Sequence, residues 1–301
     1  MNRDSRVLIT GGTGFLGSRL TDRLRRDGWD VHLLMRQRLR TGLEAEEPSM
    51  GVTVHEHDGT TENAVRIVCH VRPRVVVHLA ALFVSNHEVD DVLGLVRSNI
   101  EFGTQILEAC TQAGVMELIH TGTSWQYSNS GEFSAPSLYA STKQAFQCIL
   151  RYYATSRSMR CITLLLYDTY GEGDPRQKIM ALFSRLTQTG EHLAMSPGEQ
   201  KINLLHVDDI VEAFLLALRR VESSAGYEEF VVRAPDSISL RDLASAYERL
   251  SQKKLYIEWG ARDYRPLEIM EPWNGGRALP GWARKVSLED GIIRMLGMKS
   301  E

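Results

Sequence analysis

Apolar residues follow two periods along this chain. In its first half, short continuous apolar runs alternate with segments whose apolar positions recur every three or four residues. RVLIT (6–10) is the first such run and ends in glycines; FLGSRLTDRLRRDG follows, with Leu16, Leu20 and Leu24 four apart and Gly28 as a stop. VHLLMR (31–36), VTVHEHD (52–58) and the apolar part of VRPRVVVHLAA (71–81) predict the second, third and fourth strands. A helix over 99–113, a strand at ELIHTGT (117–123), a long helix over 137–156 and a strand at CITLLLYDTYG (161–171) continue the alternation. Strands without polar alternation are buried on both faces, which requires helices above and below a parallel sheet. The fold class is therefore α/β, a doubly wound parallel sheet.

After Gly171 the pattern loosens. GEGDPRQK is a turn-rich bridge into a helix over 178–189, and HVDDIVEAFLLALRRV (206–221) is a strong helix with two aspartates at its positive end. FVVRAP reads as a strand. SLRDLASAYERL (239–250) and SLEDGIIRMLG (287–297) each open with a capping box, Ser239 to Asp242 and Ser287 to Asp290. The division expected is a first lobe over 1–171, to which 201–221 returns, and a smaller lobe made mainly of 172–301.

Composition narrows the class. The 301 residues are 43% hydrophobic and 24% charged, with a net charge of −3, so disorder and fibrous repeats are excluded. A pI near 6.3 gives no general nucleic-acid footprint. The polar start MNRDSR leads directly into a strand, which is no signal peptide. The longest apolar stretch, 75–84, is broken by His78 and is about half a membrane span. Cys69, Cys110, Cys148 and Cys161 are spread without a CxxC pair and read as reduced, mostly buried thiols. A soluble cytoplasmic protein without nucleic-acid or membrane partners is the expectation.

The glycine run carries the first chemistry. Gly11-Gly12-Thr13-Gly14-Phe15-Leu16-Gly17 lies between a strand and a helix, where glycines permit a tight turn and close approach of a pyrophosphate to the helix N-terminus. Its GxxGxxG spacing differs from the GxGxxG of other dehydrogenases. An acidic residue at the end of the second strand would bind the ribose hydroxyls of NAD. The strand instead ends Met35-Arg36-Gln37-Arg38, with Arg40 close by. Guanidinium groups pair with a 2′-phosphate that a carboxylate would repel, so the sequence favours NADPH/NADP; a solvated basic loop is the alternative.

Tyr139-Ala-Ser-Thr-Lys143 falls on the long helix, and its four-residue spacing puts phenol and ammonium on one face. A nearby cation lowers a phenol pKa, which would make Tyr139 a proton donor or acceptor. Upstream, Thr121-Gly122-Thr123-Ser124 ends a strand in the crevice where doubly wound folds bind ligands. A hydroxyl there either holds a substrate oxygen or makes a local turn bond.

With these residues in order, the chain resembles the extended short-chain dehydrogenase/reductase (NAD-dependent epimerase/dehydratase) family, whose members act mostly on nucleotide sugars. GGTGFLG, HLAA (78–81), Asn99 in SNIEFGT, TGTS, YASTK and HVDD (206–209) occur in the family's order and spacing. Within it, TGTSWQ, YASTKQAF, DTYGEGDPRQK, MSPGEQKI and LPGWARKVSLEDGI look most like nucleotide-sugar 4-ketoreductases of the CDP-abequose/CDP-paratose synthase type. The resemblance implies a Rossmann domain and a smaller substrate lobe. It implies Tyr139 as the acid, Lys143 as the group holding the nicotinamide ribose and lowering the tyrosine pKa, and Thr123 as the residue orienting the keto oxygen. It further implies cofactor contacts at Gly11, Thr13, Gly14, Phe15, Leu16, Gly17, Arg36, Arg38, Asp58 (at the adenine amine), Gly59, Leu79, Ala80, Ala81 and Asn99. Substrate-side candidates are Ser124, Trp125, Asp168, Thr169, Arg176, Lys178, Lys201 and Arg265.

Two positions depart from the family. Ile202 stands where many members carry a phosphate-binding arginine, leaving Lys201, Arg176 or Arg265 to replace it. Tyr167-Asp168-Thr169 replaces an uncharged turn, and Asp168 either contacts sugar hydroxyls or caps that turn. Trp273 and Trp282 either line a base or sugar pocket or pack the final segment. Cys110 reads as a buried small hydrophobe, and the nine histidines lack metal-ligand spacing, with His55 and His57 expected to face outward. No metal is expected. Family dehydratases place a carboxylate directly after the strand-end threonine, where this chain has Ser124, Trp125 and Gln126. The expected reaction is NADPH-dependent reduction of a nucleotide-linked 4-keto-deoxyhexose. The alternatives are an epimerase with retained NAD(P) and a non-catalytic NADP sensor. A homodimer is expected through the helices over 99–113 and 137–156, by way of Ile106, Leu107, Phe146 and Ile149.

Overall fold

The computed structural model describes residues 5–36, 51–130 and 132–298. Its first half runs β1 (Arg6–Thr10), α1 (Phe15–Arg26), β2 (Asp30–Arg36), β3 (Thr53–His57), α2 (Thr61–Val71) and β4 (Val75–His78). The chain then forms α3 (Asp91–Val96), passes through a π turn over Arg97–Glu101 into α4 (Phe102–Ala113), and continues as β5 (Glu117–Thr123), α5 (Leu138–Ser156) and β6 (Arg160–Leu166). The second half contains β7 (Asp168–Tyr170), α6 (Ile179–Thr189), β8 (His192–Met195), β9 (Lys201–Ile202), β10 (Leu204–His206), α7 (Val207–Arg220) and β11 (Tyr227–Val232). It closes with β12 (Ile238–Ser239), α8 (Leu240–Ser251), β13 (Tyr256–Trp259) and α9 (Leu288–Met295).

Seven strands form one parallel sheet in the order β11-β6-β5-β4-β1-β2-β3, a Rossmann-like α/β fold. The two-residue period of each strand divides its apolar residues between two cores. Val7, Ile9, Leu33, Val75, Val77, Ile119 and Leu164 join Leu20 and Leu24 of α1 and Ile210, Phe214 and Leu218 of α7. Leu8, Leu34, Val76 and Leu118 join α2, α4 and α5 through Ile67, Ile106, Leu107, Phe146 and Leu150 on the opposite face. This is why the strands lack polar alternation. Each fully buried side chain of this size contributes about 1.5–3 kcal/mol, and truncating Leu8 to alanine would cost roughly 2–5 kcal/mol.

The smaller lobe has its own core around Met180, Phe183, Leu204, Leu243, Tyr247 and Ile292. Its strands pair in twos, β7 with β10, β9 with β12 and β8 with β13. Ser239 and Ser287 cap α8 and α9 as their spacing predicts, accepting from Asp242 N and Asp290 N. The strand expected over 161–171 is interrupted: Tyr167 turns inward, its hydroxyl donating to Trp273 O at 2.6 Å, and residues 168–170 pair with β10 instead. β11 covers the open edge of β6, in register Phe230 with Leu164, so residues 227–232 belong to the large sheet.

Two surface expectations are corrected. Ile106, Leu107 and Phe146 are at most 1% exposed within the chain itself, so these three side chains cannot meet a second copy, and of the four residues expected there Ile149 alone stays partly exposed. His57 is 2% exposed, its ring stacked on Phe102 of α4, and of the two histidines only His55 keeps partial exposure. Helix α4 comes from far along the chain, and alternation within β3 could not show it. Cys110 and Cys161 are buried and Cys148 exposed; all four cysteines are free. No helix among the described residues is long and apolar enough to cross a membrane.

Candidate active site

A cavity of about 880 Å³ lies across the C-terminal ends of β1, β2, β3 and β4. Gly11 and Gly17 make it possible. Gly11 has φ +71°, and a Cβ there would sit 2.7 Å from Ala80 N; a Cβ on Gly17 would sit 2.1 Å from Gly11 O. Side chains at either position would force the loop off β4 and α1. Gly14 is the N-cap of α1, whose first turn holds no acidic residue, so its N–H groups and dipole remain available to an anion. These features fit a dinucleotide.

Gly11, Thr13, Gly14, Arg36, Asp58, Gly59, Leu79, Ala80 and Ala81 all line the cavity. Asp58 accepts from Thr60 N at 2.8 Å and from the Thr60 hydroxyl at 2.7 Å, through Oδ1. Those bonds hold its carboxylate below the usual range. Phe15, Leu16 and Gly17 instead form the turn behind the loop, Phe15 lying beneath the Arg176 guanidinium at 4.6 Å. Arg38 lies outside the described residues. Asn99 is not among the residues lining the cavity: it is 2% exposed and its amide meets Leu82 N, Leu82 O and the Thr142 hydroxyl, at 2.7, 3.0 and 3.0 Å, which fixes the segment after β4. Arg97, Gln105 and His57 also line the cavity, and sequence reasoning missed them. Arg97 sits in the π turn two residues before Asn99, a spacing that gave no signal.

Ser137 caps α5 by accepting from Ala140 N at 3.3 Å, which sets Tyr139 in the first turn and Lys143 one turn later. Burial pushes the Tyr139 phenol up to about 12, Arg176 opposing and Asp168 adding to the rise. Arg176 works against this rise without reversing it. Lys143 is 2% exposed, and burial brings its ammonium down to about 7. Its Nζ is 3.1 Å from His120 Nε2. Thr123 ends β5 with its hydroxyl oxygen accepting from Trp125 N at 3.3 Å while its own N–H donates to Gln126 Oε1 at 2.9 Å. The hydroxyl hydrogen stays free to donate.

A second cavity, of about 240 Å³, holds Ser124, Trp125, Asp168, Thr169, Lys178, Lys201, Ile202, Arg265 and Trp273 in its walls. Phe83, which sequence reasoning did not single out, links it to the phenol: its ring meets Tyr139 edge-on at 4.9 Å and Trp125 at 5.8 Å. The cations are each paired, Lys178 with Asp168 at 3.6 Å, Lys201 with Glu271 at 2.9 Å and Arg265 with Glu268 at 2.8 Å. Arg176 stands apart from this wall. It pairs with Asp174 and donates to Thr169 O at 2.9 Å, tying the glycine loop to the second lobe. The two tryptophans divide the work: Trp273 lines the cavity stacked on Tyr127 at 4.5 Å, while Trp282 packs on the core and donates to Asp209 O at 2.9 Å. No group of three metal-ligating side chains occurs among the described residues.

A glycine-loop cavity that fits a dinucleotide, together with a tyrosine set against the wall of a second cavity, defines an oxidoreductase-type α/β site. The chain belongs to the NAD dependent epimerase/dehydratase family, whose profile matches residues 7–232. It is 27% identical to the CDP-abequose synthase of Yersinia pseudotuberculosis over 268 residues, 89% of this chain and 91% of that one. It is 28% identical to the UDP-glucose 4-epimerase of Mycolicibacterium smegmatis, covering 96% of each chain. The UDP-glucose 4-epimerase of Thermus thermophilus, solved as a complex with NAD, superposes with a TM-score of 0.82 at 25% identity, covering 97% of this chain and 98% of that one.

Proposed function

We propose that this chain reduces the ketone of a nucleotide-linked 4-keto-deoxyhexose with NADPH. The observation that carries the reading is the placement of Tyr139, half-buried with its ring edge-on to Phe83 of the second cavity's wall, beside Arg176. NADPH supplies the hydride to the carbonyl carbon. Tyr139 donates its phenolic proton to the carbonyl oxygen, so the ketone gains two hydrogens and becomes the alcohol. A phenol pushed up to about 12 by burial holds its proton at neutral pH, so the proton to be given is in place. Thr123 directs its remaining hydroxyl hydrogen at the same oxygen. Lys143 holds the nicotinamide ribose, and Arg36, with Arg38, receives the 2′-phosphate.

The likeness to CDP-abequose synthases supports a nucleotide sugar as substrate. Lys201, Arg265 and Lys178 receive the diphosphate by exchanging their carboxylate partners for it, and Asp168 and Thr169 meet the sugar. Trp125 lines the cavity beside Ser124 and brings no acid to expel water. The M. smegmatis relative supports a second reading, a 4-epimerase that returns its own hydride. The functional unit is a homodimer; the exposed apolar residues of α3, Val92, Leu93 and Val96, offer a face for the second copy. The free, exposed Cys148 suits the reducing cytoplasm.

The test is to mix purified protein, NADPH and a nucleotide-linked 4-keto-6-deoxyhexose or its 3-deoxy analogue. Cofactor loss matched to a product two hydrogens heavier supports reduction. Isomerisation at constant mass with constant cofactor means epimerisation, and binding without turnover means a sensor.

A further inference from the structure

Between α5 and the sheet, a line of buried polar groups runs across the strands. Lys143 Nζ lies 3.1 Å from His120 Nε2, and His120 Nδ1 lies 3.4 Å from Thr163 Oγ1 on β6. Both imidazole-bearing strands are covered, His120 being fully buried and His78 1% exposed, with the two rings stacked at 6.1 Å. On the far side, Thr10 Oγ1 accepts from Ala80 N at 3.3 Å and lies 2.8 Å from His78 Nδ1.

The hydrogen positions follow from chemistry. An ammonium has only donors, so His120 Nε2 must present its lone pair. The ring hydrogen then sits on Nδ1 and is accepted by Thr163, which presets that tautomer. Burial holds both rings neutral, His78 down to about 3 and His120 well below its ordinary value, with the Lys143 charge adding to each. The titratable groups that feel the Lys143 charge are His120 from β5, in contact with it, and His78 from β4 behind that ring. No carboxylate pairs with Lys143 among the described residues. Phe146 closes the arrangement, edge-on to His120 at 4.9 Å.

We infer that His120 is a positioning residue for Lys143: its Nε2 takes one of the three ammonium hydrogens, fixes the side chain against β5 and leaves two hydrogens for the cofactor. This rests on the reading of Lys143 as the group that holds the nicotinamide ribose. A lysine has four rotatable bonds and a buried ammonium is costly without an acceptor. His120 supplies both the acceptor and the direction.

The experiment is NADPH affinity measured against pH for the whole protein and for His120→Phe, His120→Gln, Thr163→Val and Lys143→Ala. The protonated ammonium is the binding form, so affinity falls as pH rises through the Lys143 pKa. Removing the acceptor disfavours the charged form, and His120→Phe should move that fall down by about one pH unit, the scale of one charge-assisted hydrogen bond. His120→Gln, whose amide oxygen reaches the Nε2 place, should restore most of it. Thr163→Val should give a smaller shift in the same direction, and carries the test if His120→Phe does not fold. A folded His120→Phe, or failing that Thr163→Val, with the fall at the wild-type pH overturns the proposal, as does a His120→Gln as displaced as His120→Phe. Lys143→Ala separates the two readings. Intact NADPH binding in it removes Lys143 from the cofactor site and the proposal with it, whereas impaired binding beside an unmoved His120→Phe overturns the role of His120 alone.

Discussion

The two cavities are built in different ways. The dinucleotide cradle is made largely of backbone: glycine turns, strand ends and a helix N-terminus with no acid in its first turn. The neighbouring cavity is made of side chains from separate segments, Phe83, Trp125, Thr169, Lys201, Arg265 and Trp273, with its cations held in pairs. A backbone cradle tolerates little change at its glycines and recognises a ligand common to a family. A side-chain wall can be rebuilt residue by residue, which fits the different sugars named for the relatives. The junction of Tyr139 with Phe83 and Arg176, beside the side-chain wall, is where the proposed chemistry takes place.

The largest expected effect lies at that junction. Tyr139→Phe should lower turnover about 10²–10⁴-fold by removing the transferable proton, while NADPH titration stays close to wild type. More than a third of normal activity would remove Tyr139 from the mechanism. Next comes the cradle. Gly17→Ala places a Cβ 2.1 Å from Gly11 O, and should cost roughly 1–3 kcal/mol of stability, read by denaturant unfolding, with lost cofactor affinity. A neutral result would mean the loop moves freely and backbone does not define the cavity. Arg36→Ala should weaken NADPH about tenfold and leave NADH unchanged, one charge-assisted contact being worth about 1.5 kcal/mol. Equal loss for both cofactors would reassign Arg36.

Smaller effects belong to the side-chain wall. Lys201→Ala, already paired with Glu271 on a partly exposed surface, should raise the substrate KM severalfold with kcat unchanged. Such exposed pairs are worth about 0–1 kcal/mol, so a loss of a hundredfold would give Lys201 a central role. The pH dependence connects both cavities. On the proposed reading Lys143 binds the cofactor as the ammonium, and burial brings that ammonium down to about 7, so kcat/KM for NADPH should fall as pH rises through that value, while Tyr139, pushed up to about 12, stays protonated. For stability the sign is opposite. The buried charge disfavours the fold below about pH 7 and that cost is relieved as pH rises toward the ordinary lysine value of 10.5.

The same contrast governs what the sequence revealed. RVLIT followed by GGTGFLG, and the Ser-x-x-Asp starts of α8 and α9, are local patterns, and the structure places them as read. The interruption at Tyr167 was hidden because apolar residues continue past it; the turn is made by Trp273, more than a hundred residues away. Period alone also misplaced Ile106, Leu107 and Phe146, since an apolar helix face fits a partner or its own sheet equally well. His57 became interior through Phe102 and Gln105 of α4. His120 and Lys143 meet only because β5 and α5 pack together, and no spacing along the chain encodes that.

The most direct test of the central claim follows the hydride itself. Protein is incubated with the nucleotide-linked 4-keto-deoxyhexose and NADPH carrying deuterium at the transferred position, and the sugar product is analysed by mass and NMR. Reduction predicts one deuterium on the former carbonyl carbon for each NADPH consumed. A product free of deuterium, formed with the labelled cofactor unspent, would contradict the account and assign the site to epimerisation.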